Sequence, residues 1–457
     1  MEKGLIKDYT SGPVGRQLLA FAWPFMLSNF LQTAYNLVDM AVVGQFVGAA
    51  GLSAVSVGTD IMHLYLFIAN GFCNAGQVLI SQYVGLQDRR SVSKMVGVMF
   101  TFILGLSLLV GAAGLGATGF WMNILNVPAE AVGYARAYMI CCTIGMPFMF
   151  GYLMVAAMLR GMGESKKPMI FIAIASVINV VLDVVLVGLG MGPLGAALAT
   201  VIAQGISFIV SVIYLWKRRE TLGFRFEVHD LLPDRHQLRL LLKLGVPMMI
   251  QSCAISLSAL FVSSNINTYG VVASAVTGVG AKLSSIANVV AMALSQSGAT
   301  IVGQNFAARK FDRVKRAVYV AAGITLISAV ALSAVMIAAP EQVFSVFSDD
   351  PAVLAMSHAY VLIAVLNFFS CGTRAPSMAL CNGMGFPLMN FVLGIFDGVV
   401  MRIGLCILLG WVFDMGIQGF WLGSALAGYA FFVVMAPYFL SGRWKNRAPA
   451  TAKGAGA

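Results

Sequence analysis

Two carboxylates stand inside apolar runs of this 457-residue chain, each close behind an asparagine. Asp39 follows Asn36 by three residues in a run that begins near Leu18, and Asp183 follows Asn179 by four in another. An aspartate at the centre of a membrane helix costs roughly 2.5–3.5 kcal/mol, so its default reading is an ion or substrate pathway. Gln32 and Tyr35 precede Asp39 by seven and four residues, which puts these polar groups with Asn36 on one face of a helix. A hard monovalent cation wants several oxygens, and carboxylate, amide and hydroxyl groups supply them; the sixth apolar run adds the hydroxyl of Thr200. Two carboxylates in a low-dielectric interior cannot both ionise cheaply, so the pair either shares a proton or holds a cation. The competing reading is structural: the two acids, with Gln32 and Tyr35, only lock helices together through hydrogen bonds.

The elements that must position these groups are membrane spans. The chain is 59% hydrophobic and only 10% charged, with a mean hydropathy of +0.87, whereas a soluble domain carries roughly 25% charged residues. A span needs about 20 apolar residues. By that ruler the sequence predicts helices near 17–43, 52–82, 95–118, 132–158, 168–189 and 194–216, then near 241–267, 273–304, 316–339, 353–380, 388–411 and 417–440. The expected fold is an all-α integral membrane protein of twelve transmembrane helices in two six-helix bundles. The expected boundaries are 1–216 for the first bundle, 217–240 for a cytoplasmic linker, 241–442 for the second bundle and 443–457 for a disordered cytoplasmic tail.

The net charge of +11 does not point to nucleic acid here. Lys and Arg concentrate in loops after even-numbered spans (Arg89, Arg90, Lys94; Arg160, Lys166, Lys167; Arg309, Lys310, Arg313) and near both termini, while the other loops hold Glu130, Glu341, Asp349 and Asp414. That asymmetry predicts cytoplasmic termini and contact with anionic lipid. The loop from Asn382 to Phe386 carries no charge and is the weak member of the series. No segment ahead of the first span reads as a cleaved signal. The seven cysteines lie almost entirely in apolar runs without a C-x-x-C pair, and the four histidines are scattered, so no metal site or cofactor is expected. A phosphate-binding Gly-x-x-x-x-Gly-Lys-Ser/Thr stretch is absent, which argues against ATP drive within the chain, and no clustered nucleophile and base suggests an enzyme.

The halves repeat. Pro24-Phe25-Met26 answers to Pro247-Met248-Met249; Gly76 through Ser81-Gln82 answers to Gly298 through Gly303-Gln304 at an offset of 222; Arg160-Gly-Met-Gly163 answers to Asn382-Gly-Met-Gly385 at the same offset. Six spans per half return each repeat to its starting side, so the repeats are parallel and related by an axis along the membrane normal.

These openings, with Asn36-Leu-Val-Asp39-x-x-x-Val43-Gly44, Leu159-Arg-Gly-Met-Gly163 and Asn179-Val-Val-Leu-Asp183, resemble the multidrug and toxic compound extrusion (MATE) family of cation-coupled exporters over nearly the whole chain. The resemblance implies an antiporter in the plasma or inner membrane that expels bulky, often cationic drugs in exchange for Na+ or H+, by alternating access at a cavity between two bundles. It also carries a cation site onto Asp39, Asn179, Asp183 and Thr200. The expected partners are drug-like small molecules and the lipid bilayer, and the expected state is a monomer. An alternative within the wider superfamily is a flippase for lipid-linked oligosaccharide or another anionic lipid.

The second half departs from a symmetric acid site. Aligning Pro387 on Pro168 sets Arg402 opposite Asp183, with Asp397 five residues earlier; Lys282 falls opposite Asp60, and Arg374 lies in the tenth span. These positive charges argue against a second cation site. They either bind anionic groups of substrate, or neutralise Asp60 and Asp397, or pair between helices. Together with Gln32, Tyr35 and Asn36, the residues Asp60, Lys282, Arg374, Asp397 and Arg402 complete the set of candidate cavity or substrate contacts. The 26 methionines, five of them on or near the fourth span, suit a promiscuous apolar surface or simple packing.

Overall fold

The computed structural model describes residues 6–125, 127–219 and 234–452, and these hold helices and turns without a strand. A hydrocarbon layer offers no water to peptide groups, so apolar runs of this length satisfy their backbone internally as helices. In chain order they are α1 (Val14–Val47), α2 (Ala49–Gly85), α3 (Arg89–Gly116), α4 (Thr118–Ile124), α5 (Ala129–Ile144), α6 (Met146–Gly161), α7 (Lys166–Leu186) and α8 (Gly192–Lys217). Then follow α9 (Arg235–Asn267), α10 (Val271–Ala307), α11 (Phe311–Ala338), α12 (Pro340–Ser345), α13 (Pro351–Met384), α14 (Pro387–Ile395), α15 (Gly404–Ile407), α16 (Gly416–Ala427) and α17 (Ala430–Leu440). Three π-helical stretches interrupt the series: Val187–Met191, Phe396–Ile403 and Leu408–Val412.

Among the described residues nine helical stretches are long and apolar enough to cross a membrane, or ten when α5 and α6, bent by 50°, count as one span. The bend falls at Gly145, where α6 restarts with Pro147 in its first turn and no i−4 partner is needed for the missing N–H. One of the nine, Lys166–Lys217, runs 52 residues and contains a break at Gly190 (φ 86°) and Gly192 (φ 56°), so α7 and α8 are two spans packed on each other. Helix α1 has 34 residues, ample length, but its polar face keeps it out of the nine. The all-α, twelve-span architecture expected from the sequence is the one observed.

The helices gather into two compact units. Of the expected linker at residues 217–240, residues 220–233 lie outside the described residues. The first unit comprises Met1–Asp8 and Trp23–Gly245, the second Tyr9–Ala22 and Val246–Ala457. The chain thus changes unit inside α1 and again inside α9, each time just before a proline, Pro24 and Pro247.

Side chains of each unit hold its exchanged end, with one pair of them, Tyr83 and Asn305, at equivalent repeat positions. In the second unit Arg313 donates to the carbonyls of Tyr9 (2.7 Å), Ser11 (3.1 Å) and Gly12 (2.7 Å), while Asn305 Nδ2 donates to the Tyr9 carbonyl (3.1 Å) and Lys310 Nζ to that of Thr10 (2.9 Å). In the first unit Tyr83, the counterpart of Asn305, donates to Gln237 Oε1 (2.9 Å), and Lys94 Nζ lies 2.7 Å from Asp234 Oδ2. The Lys94 ammonium, aided by the backbone N–H of Gln237, holds the Asp234 carboxyl below the usual carboxylate range.

Within each unit small residues set the helix spacing, as membrane helices require. A Cβ on Gly161 of α6 would lie 2.8 Å from the Gln77 carbonyl of α2; a Cβ on Gly383 of α13 would lie 2.7 Å from the Ala299 carbonyl of α10. Both the glycines and the carbonyls they face are 222 residues apart, so the close crossing is itself repeated. Backbone cannot yield as a flexible side chain can. Gly161→Ala is therefore expected to destabilise by about 1–3 kcal/mol, read as a lower thermal unfolding midpoint. Gly133→Ala, whose Cβ would meet nothing within 4 Å, should be neutral or slightly stabilising in the same assay.

The tail differs from expectation. The sequence places disorder from Arg443 on, yet Arg443–Asn446 form a 3-10 turn and Trp444 is fully buried. Its ring packs among Phe306, Phe311 and Phe439, and its Nε1 donates to the Phe439 carbonyl at 3.0 Å. Arg309 Nη1 also donates to the carbonyls of Lys445 (3.3 Å) and Arg447 (3.2 Å); residues 453–457 lie outside the described residues.

Candidate functional site

The break at Gly190 and Gly192 has a consequence for the polar residues. Asn179 lies seven residues before the end of α7 and Thr200 eight after the start of α8, so antiparallel packing brings them level. Asn179 Nδ2 donates to Thr200 Oγ1 at 3.2 Å. From the third helix, α1, Tyr35 accepts from Gln204 Nε2 at 3.3 Å and lies within hydrogen-bond reach of Gln32. The side chains of Tyr35, Ala175, Asn179, Thr200, Ala203 and Gln204 line a narrow recess with no room for a water-sized sphere.

Asp39 and Asp183 face one another beside this recess, their carboxyl groups within hydrogen-bond reach. Asp39 is 5% exposed, Asn179 2% and Asp183 not at all. Buried polar atoms normally find partners, but four oxygens here meet no N–H or hydroxyl donor among the described residues: Asp39 Oδ1, Asn179 Oδ1 and both Oδ atoms of Asp183. All four are acceptors. Chemically the cluster is an acceptor-only pocket on two helices with at most two negative charges, a donor set suited to a proton or a single hard cation.

The second unit holds the opposite arrangement. Asp397, fully buried, sits between two guanidinium groups: Arg374 Nη2 at 2.9 Å and Arg402 Nη2 at 3.3 Å. Arg374 comes from α13, but Arg402 is on the same element as Asp397, five residues on. In an α-helix residues five apart point roughly 140° apart. The π-helical stretch Phe396–Ile403 has an i→i+5 bond pattern, and that pattern swings Arg402 over Asp397.

The structure thus brings together Asp39, Asn179, Asp183 and Thr200, with Tyr35 and Gln32 adjoining, and separately Arg374, Asp397 and Arg402. It does not bring in the others. Asn36 is half-buried on α1 and outside the recess lining; Asp60 is exposed beside His63; Lys282 is exposed, its Nζ 5.5 Å from the Phe347 ring centre. Sequence reasoning missed Gln204. The signal was there: it follows Thr200 by four residues in an otherwise apolar helix and so shares its face.

A family model described as MatE matches residues 24–185 and, again, residues 247–408. The chain belongs to the MatE family. The two matched stretches start at Pro24 and Pro247, so the family unit is one of the repeats, present twice. Similar to this MatE chain are a probable multidrug resistance protein YoeA of Bacillus subtilis, 29% identical over 98% of both chains, and a multidrug export protein MepA of Staphylococcus haemolyticus, 24% identical over 87% of this chain and 83% of the relative. A solved MATE structure in a bent conformation shares the fold, with a TM-score of 0.87 at 21% identity over 98% of each chain. This MatE chain is accordingly a multi-pass membrane protein of a transporter family, as its motifs led one to expect.

Proposed function

We propose that the chain is a cation-coupled antiporter that exports bulky, cationic or amphipathic drugs and toxic compounds by alternating access, with H+ or Na+ as the returning ion. The observation that carries the reading is the set of orphan acceptor oxygens shared by Asp39, Asn179 and Asp183, buried within the spans. A proton or Na+ bound there stabilises the conformations in which the acids lie close. Substrate stabilises the conformations in which they do not. Opposite differential affinities of the two ligands are all that exchange requires. Thr200 takes up the Nδ2 of Asn179 and leaves its Oδ1 without a partner. The chain's similarity to a probable multidrug resistance protein and a multidrug export protein supports drug-like substrates. Loop charge supports cytoplasmic termini, and a monomer suffices because both repeats lie in one chain.

The test uses inverted membrane vesicles and a fluorescent organic cation under an imposed pH gradient or an imposed Na+ gradient. Accumulation driven by one gradient and dissipation of that gradient by substrate are expected. Transport indifferent to both gradients sinks the coupling.

A further inference from the structure

The acid cluster of the first unit and the arginine cluster of the second leave different atoms without partners. Those of the first unit's acid cluster are acceptors. Around Asp397 in the second unit two guanidinium nitrogens, Arg374 Nε and Arg402 Nε, have no hydrogen-bond partner among the described residues; Asp397 Oδ2 makes no hydrogen bond either, though Arg374 Nη2 pairs with it at 2.9 Å, and along the adjoining helices Gln251 Nε2 and Asn390 Nδ2 are likewise unpaired. Gln251 packs directly on Gly394, one turn before Asp397, and Asn390 lies one turn earlier on the same helix.

Charge points the same way. Two guanidinium groups share one carboxylate, which leaves a net charge of +1 inside the bundle, and among the described residues no other acid pairs with either arginine. A buried charge without a counter-charge is strongly unfavourable. The ion pair alone therefore does not explain why both arginines are present; one would neutralise Asp397. Asp397 is fully buried, while the Arg374 and Arg402 side chains keep 21% and 13% exposure, although their Nε atoms are themselves buried. The Arg374 guanidinium also rests 5.4 Å from the Phe431 ring centre, which fixes its plane without using its donors.

We propose that Arg374 and Arg402, oriented by Asp397, form a receptor for a monovalent oxyanion, the carboxylate or phosphate group of a transported molecule. A guanidinium offers five N–H donors in a rigid fork that matches such a group, and each arginine here spends only Nη2 on Asp397. The transporter would then accept zwitterionic and anionic amphiphiles as well as cations. The assignment of an occupant rests on the export reading above; the charge argument does not.

The experiment measures equilibrium binding to the purified full-length protein in nanodiscs by fluorescence anisotropy. The probes are a rhodamine bearing a free carboxylate and its methyl ester. In Arg374→Gln and Arg402→Gln, which bring the cluster to neutrality, carboxylate-dye affinity should fall at least about tenfold while ester affinity stays within roughly twofold, as expected for a charge-assisted contact. The double variant Asp397→Asn/Arg402→Gln restores a net +1 and should recover most of the carboxylate-dye binding. Acetate competing best identifies a carboxylate site, and dimethyl phosphate competing best a phosphate site; either result supports the receptor. Parallel loss of both dyes, or no preference for the carboxylate dye in the wild type, overturns it and leaves drug export standing. Binding of the carboxylate dye through the arginines with no binding of the ester would support the receptor and count against cationic substrates.

Discussion

Asp39→Asn is expected to abolish cation-driven efflux while the protein still folds and inserts. Asparagine keeps the shape of the side chain and removes its charge. The remaining acid, Asp183, then has no carboxylate opposite it, and the pair can no longer trade one proton or one cation between two conformations. Coupling energies between ligands are typically 1–3 kcal/mol, so their loss corresponds to a roughly 5–150-fold fall in gradient-dependent transport. Vesicle efflux normalised to the amount of inserted protein measures it. Asp183→Asn should behave alike, since both of its oxygens are among the orphans. Asp60→Asn, on an exposed surface of α2, should stay near the wild type. Normal gradient-driven efflux in Asp39→Asn would reject the site.

The second large effect is on stability and sits in the other unit. Asp397→Leu strands Arg374 and Arg402 together, two like charges with no partner. Removing one member of a buried ionic network costs about 3–5 kcal/mol, whereas replacing the whole network by apolar groups of similar volume is neutral or stabilising. Thermal unfolding of the purified protein should therefore show a marked drop for Asp397→Leu and recovery for the triple variant Asp397→Leu/Arg374→Met/Arg402→Leu. The recovered triple variant must at the same time lose preference for the carboxylate dye, which separates the network's part in folding from its part in recognition. A stable Asp397→Leu protein would show that the two arginines are not held as the structure places them.

Particular residues show how far the sequence could be read. Span number and repeat were legible because run length and loop charge report directly on the membrane. Asp39 and Asp183 stood out in the sequence because an acid in an apolar run is unfavourable. That they meet was a reading from motif resemblance; the physical cause, a glycine turn that sets Asn179 level with Thr200, needs the tertiary structure. The pairing of Arg402 with Asp397 was less accessible. Helical periodicity places them on different faces, and nothing local in Phe-Asp-Gly-Val-Val-Met-Arg-Ile announces a π-helical stretch. Gly398 is part of the reason: its Cβ would lie 2.7 Å from the Ala254 carbonyl, so α9 presses on this segment from outside. The exchanged helix ends were illegible for the same kind of reason, since the contacts that hold Tyr9–Gly12 come from residues about three hundred positions away.

That distance has a consequence for synthesis. The carbonyl of Tyr9 is met by Asn305 and Arg313, 296 and 304 residues later. At translation rates of about 5–20 residues per second, the N-terminal segment waits on the order of 15–60 s for its partners to leave the ribosome. The linker end meets no such delay, because Tyr83 and Lys94 are already made when Asp234 and Gln237 emerge. The first unit can thus close as it is inserted, but the second cannot be completed without a piece of chain made at the very start. A nascent chain halted in its second half would hold Tyr9–Ala22 unclaimed at the membrane surface, a ready mark by which a quality-control protease could tell an unfinished transporter from a finished one.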